Sequence, residues 1–283
     1  MSEALGRNPQ QSILSVLRIA CSDALQRPDF ADRLQAMKQK FYVRDFDGIF
    51  RDPANLPVYT AQYVPRRALC YYSLFCRPEL QEILRARPTI YCLGAGSGSE
   101  LLGITAAACH ALSGGDDGLP PLTIHSQDYA DWGAILQALE DAARYKWGLG
   151  ADLVAYAFST GDLLDISPAM EAHIAGAQLV TAMFVFNELF ADKAKAIKFV
   201  QAMVAHIRPG AHFLLVDSAG SFSSIKVGGT AYMSYMFFDS LRQHFDPVVA
   251  EDSTWFRHAA GLDYPLPIEN MRYFVRIYRR KGA

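Results

Sequence analysis

Several signatures of common protein classes are missing from this 283-residue chain. It has five cysteines, but no two form a Cys-x-x-Cys pair, and its seven histidines show no spacing typical of a zinc site. No apolar run approaches the length of a membrane span, and the N-terminus lacks the basic start and apolar core of a signal peptide. These absences predict an intracellular protein with reduced, buried thiols, no metal and no membrane partner.

Neither positive nor negative charge predominates in the chain, although the charged residues are unevenly distributed. The formal net charge is −2, which gives no overall preference for nucleic acid. Residues 1–90 hold 13 Lys/Arg and 9 Asp/Glu, whereas the remainder holds 14 and 20. The N-terminal third is therefore the more favourable place for a polyanionic partner, although a solvated helical surface would account for the same counts.

A glycine-rich turn follows an apolar run near the middle of the chain. Thr89–Leu93 predicts a buried strand, glycines occupy positions 94, 96 and 98, and a helical pattern begins at Glu100. Such a turn can cradle a ligand, because glycine reaches positive φ and the helix N-terminus supplies unpaired N–H groups. The third glycine comes one residue too early for a dinucleotide fingerprint, and no Gly-Lys-Ser/Thr follows as in a P-loop. Gly-x-Gly-x-Gly is the variant associated with S-adenosylmethionine (SAM), although a purely structural turn is an alternative.

The hydrophobic pattern changes at about residue 88. Residues 1–11 are polar, which predicts disorder, and helical patterns follow, with Pro65 placed to start one of them. Beyond residue 88, strands and helices alternate, which predicts an α/β fold with a doubly wound, seven-stranded, mostly parallel sheet. We therefore expect a helical N-terminal extension or lid at 1–88 and a Rossmann-like domain at 89–283. The later strands are expected at 122–127, 152–159, 178–186, 212–217, 248–251 and 273–278.

Polar residues follow successive strands, where a sheet of this kind binds its ligands. Asp128 ends the second strand, where an acidic side chain can accept hydrogen bonds from ribose hydroxyls. Asp162 follows the third strand and is expected near an adenine amino group, and Asn187 and Glu188 follow the fourth. Their joint placement favours a SAM site and predicts that 89–283 is a class I SAM-dependent methyltransferase domain. The expected cofactor-binding residues are Gly94, Ala95, Gly96, Ser97, Gly98, Glu100, Asp128, Tyr129, Gly161, Asp162, Leu163 and Asn187.

Each acidic residue also has a simpler interpretation. Asp128 might instead cap the helix that begins near Asp131, and Asp162 would suit an Asx-turn. Glu188 would be favourable at a helix N-terminus through the helix dipole alone.

The motifs together resemble the fungal large-subunit ribosomal RNA (uridine-N(3)-) methyltransferases over about residues 25–280. The Pro-Arg-Arg-Ala-Leu run at 65–69 and the Asp-Ser-x-Gly-Ser run at 217–221 are more specific than the glycine turn. Further matching segments are 40–46, 58–59, 93–100, 186–189, 269–273 and 278–280. The resemblance implies SAM as cofactor, ribosomal RNA or the pre-ribosome as partner, a uracil ring nitrogen as methyl acceptor, and a place in the cytoplasm, nucleus or nucleolus.

Uracil methylation needs a base, because the ring imide is a poor nucleophile until its proton leaves. Glu188 is the first candidate and Asp217 the second, with Asn187 orienting the base or the methionine end of SAM. Aromatic and arginine side chains suit a base turned out of its stack. The expected substrate-binding residues are Tyr59, Tyr63, Arg66, Arg67, Ser221 and Tyr232.

Alternatives to these roles stay open at this point. Tyr232 and Tyr235 have helical spacing that also suits a core, and the two arginines at 66 and 67 would also suit local salt bridges. The C-terminal arginines at 272, 276, 279 and 280 lie on an alternating strand and are expected on a solvated face. A methyltransferase for a small molecule or peptide, and a non-catalytic SAM-binding sensor or scaffold, are the competing functions.

Overall fold

The computed structural model describes residues 3–112, 119–220, 224–227 and 230–282. The N-terminal region is helical. After a short 3-10 turn at Glu3–Leu5 come α1 (Pro9–Ala20), α2 (Ser22–Leu25), α3 (Phe30–Tyr42), α4 (Phe46–Phe50), α5 (Leu56–Phe75) and α6 (Pro78–Arg85). The first of these begins where the Asn8 side chain accepts a hydrogen bond from Gln11 N and Pro9 fixes the first turn.

A seven-stranded sheet follows, in the order β3-β2-β1-β4-β5-β9-β8. The first five strands are parallel, and β9 runs antiparallel to both of its neighbours. The strands are β1 (Thr89–Leu93), β2 (Leu122–Asp128), β3 (Val154–Thr160), β4 (Leu179–Met183), β5 (His212–Ser218), β8 (Phe245–Phe256) and β9 (Met271–Arg280), and a separate hairpin is formed by β6 (Ser224–Val227) and β7 (Thr230–Met233). The predicted doubly wound, mostly parallel seven-stranded sheet is confirmed.

Helices alternate with these strands. They are α7 (Ser99–Ala111), α8 (Gly133–Trp147), α9 (Pro168–Gly176), α10 (Phe186–Leu189), α11 (Lys193–His206) and α12 (Ser234–Asp239). Because β1 lies between β2 and β4, the strand order reverses there. Ligands bind at such a switch point in open α/β sheets, beyond the carboxyl ends of the strands.

The N-terminal helices share one hydrophobic core with the sheet. Residues of α1 and α5 belong to the same buried cluster as residues of β1, α7 and β9. The α5 and α7 backbones cross closely at Gly103, where an added Cβ would lie 2.7 Å from Tyr71 Cβ and 3.2 Å from Ala68 O. The apolar surface of α7 is thus covered by α5 on the side away from the sheet.

Two predictions for the N-terminal region are wrong. Residues 9–11 belong to α1 and Leu5 is buried, so residues 1–11 are not a disordered segment as a whole. Pro65 lies inside α5 and does not start it; the helix begins at Leu56, with Pro57 in its first turn. A proline at 65 removes the N–H that would pair with Ala61 O, and the Tyr264 hydroxyl donates to that carbonyl instead, at 2.9 Å.

Two predictions for the C-terminal region also fail. Arg276 is 3% exposed and does not lie on a solvated face, since β9 is an interior strand; its guanidinium pairs with Asp239 and Asp252 and stacks on Tyr235. The helical spacing of Tyr232 and Tyr235 does not place both on one helix, because residues up to 233 are in β7 and α12 covers only Ser234–Asp239.

Four of the five cysteines are buried, as expected, and Cys76 is partly exposed. Across the described ranges, no helix combines the length and the apolar character that a bilayer span requires.

Candidate active site

A cavity of about 300 Å³ lies beyond the carboxyl ends of β1–β4. Its lining comes from the glycine turn, the ends of the first four strands and two N-terminal helices. The lining residues predicted from sequence are Gly94, Ala95, Gly96, Ser97, Glu100, Asp128, Tyr129, Asp162, Leu163, Glu188, Tyr59 and Arg67. The structure therefore brings together side chains that lie up to about 130 positions apart in the sequence.

The three glycines of the turn have different surroundings. All have positive φ, of 62°, 54° and 88° at Gly94, Gly96 and Gly98. An added Cβ would collide with Val185 at Gly94 and with Leu139 at Gly98, whereas at Gly96 it would meet nothing within 4 Å. Gly94 and Gly98 are thus required by protein packing, and Gly96 is the position where the backbone faces open space in the cavity.

Asp128 fixes the turn from the neighbouring strand. Its Oδ2 accepts from Gly96 N at 2.9 Å, and its Oδ1 accepts from Ala130 N at 3.0 Å. Burial raises the pKa of this carboxyl, and the two backbone donors oppose that rise. Asp128 thus presents to the cavity a carboxylate whose position is fixed by hydrogen bonds from the protein.

The residues after β3 line the next part of the cavity. Asp162 Oδ1 accepts from Leu164 N at 2.9 Å, which is the Asx-turn geometry considered above, yet the residue still lies on the cavity wall beside buried Leu163. Gly161 is outside the lining; its N–H donates to Asp128 O at 2.8 Å and so joins this loop to β2.

Two glutamates line the cavity. Glu100, in the first turn of α7, is 2% exposed and accepts from Thr181 Oγ1 at 2.5 Å. Burial raises its pKa to about 7. Glu188, in α10, is half-buried, and burial also raises its pKa to about 7, with Asp128 and Asp217 adding to the rise and Arg67 opposing it. Asn187 lies beside Glu188 in the chain but is not in the lining.

The N-terminal helices supply a wall that the sequence patterns left unassigned. From α4 and the residue after it come Phe46, Asp47, Phe50 and Arg51, and α5 adds Tyr71 to the expected Tyr59 and Arg67. The remaining unassigned lining residues are Ser99, Trp132, Leu164, Met183, Phe184, Val185 and Leu189. The aromatic residues at 46 and 50 stand out in sequence, but their spacing does not show that α4 turns toward the strand ends.

Other predicted site residues lie outside the lining. Asp217 is buried at the end of β5, and its Oδ1 accepts from Ser218 N at 2.7 Å. Arg66 pairs with Glu269 and stacks on Tyr63, which in turn packs against Tyr59. Tyr232, on β7, is 45% exposed, and Ser221 lies outside the described residues.

The residues present fit SAM. The cavity offers a hydrogen-bonding carboxylate after β2, an open glycine backbone after β1, and an excess of carboxylates suited to a ligand that carries a sulfonium and an ammonium group. Within the described residues, no group of three or more His, Cys, Asp or Glu side chains is arranged to hold a metal ion.

This sheet order, with its antiparallel β9, and a cavity built from a Gly-x-Gly-x-Gly turn and a carboxylate after β2 define a class I SAM-dependent methyltransferase. Residues 17–279 match the family described as "Putative SAM-dependent methyltransferase", and the chain belongs to that family. Methyltransferase activity and SAM as cofactor, both expected from the sequence, are thereby confirmed.

Particular relatives agree with the resemblance drawn from the motifs. The chain is 28% identical to the 25S rRNA (uridine(2843)-N(3))-methyltransferase of Saccharomyces cerevisiae, over 95% of this chain and 85% of the yeast protein. Similar solved structures include a SAM-dependent methyltransferase from Methanosarcina mazei (14% identity, 73% of this chain and 99% of that one, TM-score 0.47). Another is the N-methyltransferase NodS from Bradyrhizobium japonicum with S-adenosyl-L-homocysteine (12% identity, 76% and 100%, TM-score 0.42).

Proposed function

We propose that the chain methylates a uracil ring nitrogen, N(3) of a uridine, in large-subunit ribosomal RNA. The yeast relative supports the substrate, because it matches nearly the whole chain, including the helices that wall the cavity. The observation that carries the chemistry is Glu188, a half-buried carboxylate in the cavity wall to which no described side chain or backbone group donates a hydrogen bond. Action on ribosomal RNA would require the protein to work in the nucleus, nucleolus or cytoplasm.

The chain's own residues divide the work. SAM supplies an electrophilic methyl group when bound, and the protein supplies position and environment. Asp128 would hold the ribose hydroxyls, the loop at 161–163 the adenine, and the open backbone at Gly96 the part of the cofactor that crosses β1. Helices α4 and α5 form one wall of the cavity. We propose that the extension at 1–88 acts as a lid on the catalytic domain at 89–283.

Glu188 is proposed to take the proton from uracil N(3). A general base works best when its pKa lies near the working pH, and burial brings the pKa of Glu188 to about 7. Asn187 would orient this side chain from the same helical turn. Asp217 lies deeper, at the end of β5, and is proposed to act on Glu188 by repelling its charge and so strengthening it as a base.

The test of the base is Glu188→Gln. The variant is expected to bind SAM with an affinity close to that of the native protein and to lose methyl transfer to unmethylated large-subunit RNA by about 100-fold or more. Glu82→Gln, an exposed change on α6, is the matched control and should retain full activity. Full activity of Glu188→Gln would show that Glu188 is not the base.

The pH dependence provides a second check on Glu188. Since the carboxylate form is the active one, kcat/KM for RNA should rise with pH through about 7 and then level off. The residual activity of Glu188→Gln should lack this acidic limb. A native profile that is flat between pH 6 and 8 would contradict the assignment.

Tyr63, Arg66 and Tyr232 are proposed to contact the RNA outside the cavity, and Ser221 is proposed as a further RNA contact. Tyr232 is the sharpest test, because its ring is 45% exposed and its loss should leave the core intact. A stacked base is worth about 1–3 kcal/mol, so Tyr232→Ala should raise KM for RNA by about 5-fold or more while the Kd for SAM stays unchanged. An unchanged KM would show that Tyr232 does not contribute to RNA binding.

A further inference from the structure

The cavity is acidic, yet SAM carries one anionic group, the α-carboxylate of its methionine part. Five carboxylates line the cavity, and the cationic side chains among its lining residues are two arginines, Arg51 and Arg67. A bound SAM carboxylate placed among so many like charges needs a cation at close range, because a buried charge without a partner is costly.

Arg51 is poorly placed to be that cation. Its side chain is 70% exposed, it pairs with Asp47 at 3.2 Å, and its guanidinium lies 5.8 Å from the ring centroid of Tyr129 at the rim. A cation that is already paired and largely in water has little to gain from a second carboxylate.

Arg67 differs on each of these points. Its Nη1 donates to Tyr59 Oη at 2.7 Å, and no carboxylate among the described residues lies within 4.0 Å of its guanidinium. The guanidinium lies between two rings, 5.9 Å from the centroid of Tyr59 and 5.6 Å from that of Phe184. It is therefore oriented by neutral neighbours and retains N–H donors for a planar anion, which an arginine fork binds through two hydrogen bonds.

The backbone at Phe184 supports a functional reason for this arrangement. Phe184 has φ of 60°, which is rare for a bulky residue, and it immediately follows β4 at the edge of the cavity. Its ring packs against Arg67 on one side and stacks with Tyr71 at 6.3 Å. Strained residues of this kind concentrate at ligand sites, where they position other groups.

The order of the strand ends gives the direction of the ligand. Asp162 follows β3 and Asp128 ends β2, so the adenosine part of SAM is assigned to that side of the cavity. Moving across the sheet, the next strand ends are those of β1, with Gly96, and β4, with Phe184. An elongated molecule with its adenosine over β3 and β2 has its methionine part over β1 and β4, where Arg67 lies.

We infer that Arg67 binds the α-carboxylate of SAM, held in place by Tyr59 and Phe184. The arginine expected from sequence to contact RNA is thus part of the cofactor site, and helix α5 of the N-terminal region completes that site. The adjacent Arg66 points elsewhere and pairs with Glu269, which makes it a matched control on the same helix.

The test is calorimetric binding, without RNA, of SAM and of decarboxylated SAM, which lacks only the α-carboxylate. The native protein should bind SAM at least about 10-fold more tightly than the decarboxylated analogue. Arg67→Gln should weaken SAM binding by a similar factor and leave binding of the analogue within about 2-fold, so that the preference disappears. Arg66→Gln should keep the preference.

The outcomes of this experiment distinguish a role of Arg67 in binding the carboxylate from a purely structural role. Equal weakening of both ligands in Arg67→Gln would show a structural role and overturn the assignment, as would a native protein that binds both ligands equally. Arg67→Lys, which keeps the charge but not the planar fork, should restore part of the preference. Absence of any SAM binding by the native protein would instead contradict the cofactor site as a whole. None of these readouts depends on the proposed RNA substrate.

Discussion

At the scale of single residues, the site contains two carboxylates, Glu100 and Asp128, that the fold holds largely away from water. Glu100 shows what this costs. Its pKa rises through burial from 4.5 to about 7, so between these pH values the unfolded chain loses a proton that the folded chain keeps. Stability therefore falls as pH rises through this window, and the penalty is fully present above about pH 7.

Glu100→Gln should remove that penalty, because the amide oxygen can still accept from Thr181. In the absence of SAM, the variant is expected to gain up to about 3 kcal/mol of unfolding free energy at pH 8 and almost nothing at pH 4. Thermal denaturation at the two pH values measures the difference. A gain of the same size at both pH values would show that the effect does not arise from ionisation.

Asp128 is also buried and its pKa is also raised, but its hydrogen bonds from two backbone groups oppose that rise, and it faces the cavity. Asp128→Asn should weaken SAM binding by about 10-fold or more, because the charge-assisted bonds to the turn and to the ribose are both lost. Asp131→Asn is the control: Asp131 accepts from Gly133 N on the exposed surface, and its change should leave the Kd for SAM unchanged. Equal effects of the two changes would count against a ribose contact.

At the scale of elements, the glycine turn separates ligand binding from packing. Gly96→Arg projects into open space, so the fold should survive at a modest cost in backbone strain while SAM binding is lost. Gly98→Ala should do the reverse and lower the melting temperature, because its Cβ meets Leu139 and its φ is 88°. Calorimetry and thermal denaturation of both variants check the contrast; SAM binding by Gly96→Arg would refute the cradle.

A second feature at the scale of elements is the close crossing of α5 and α7. Gly103→Ala would force the helices apart at Tyr71 and Ala68, with an expected loss of about 1–3 kcal/mol. Gly176→Ala, at the exposed end of α9 with nothing within 4 Å, should be neutral or slightly stabilising. Urea denaturation compares the two, and an unaffected Gly103→Ala would mean that the crossing can relax.

Sequence patterns predicted some of these elements and site residues correctly and missed others, and each outcome has a physical reason. Strands after residue 88 are predictable because buried parallel strands are continuous apolar runs, and Asp128, Asp162 and Glu188 are predictable because strand ends meet at one edge. The start of α5 was missed because proline normally marks a first turn, and the tertiary contact from Tyr264 to Ala61 that tolerates Pro65 is not visible locally. The role of α4 and the burial of Arg276 depend on packing between distant segments in the same way.

At the scale of the whole molecule, the N-terminal helices share a hydrophobic core with one face of the sheet and form part of the cavity wall. The fragment 89–283 would expose α7 and lose the wall that carries Tyr59 and Arg67. We expect it to lack a cooperative thermal transition and to bind a hydrophobic dye, because the apolar surface of α7 that α5 and α6 cover in the full chain would be exposed to solvent. A fragment that unfolds cooperatively and binds SAM would show that residues 1–88 are a separate unit.

Methylation of a uridine N(3) in large-subunit ribosomal RNA is the function proposed for this protein. Its most direct test is a mass-spectrometric nucleoside profile of that RNA after deletion of the gene, with reintroduction of the native protein, Gly96→Arg or Glu188→Gln. We expect the level of 3-methyluridine to fall on deletion, to return with the native protein and not to return with either variant. A level of 3-methyluridine that deletion leaves unchanged would contradict it.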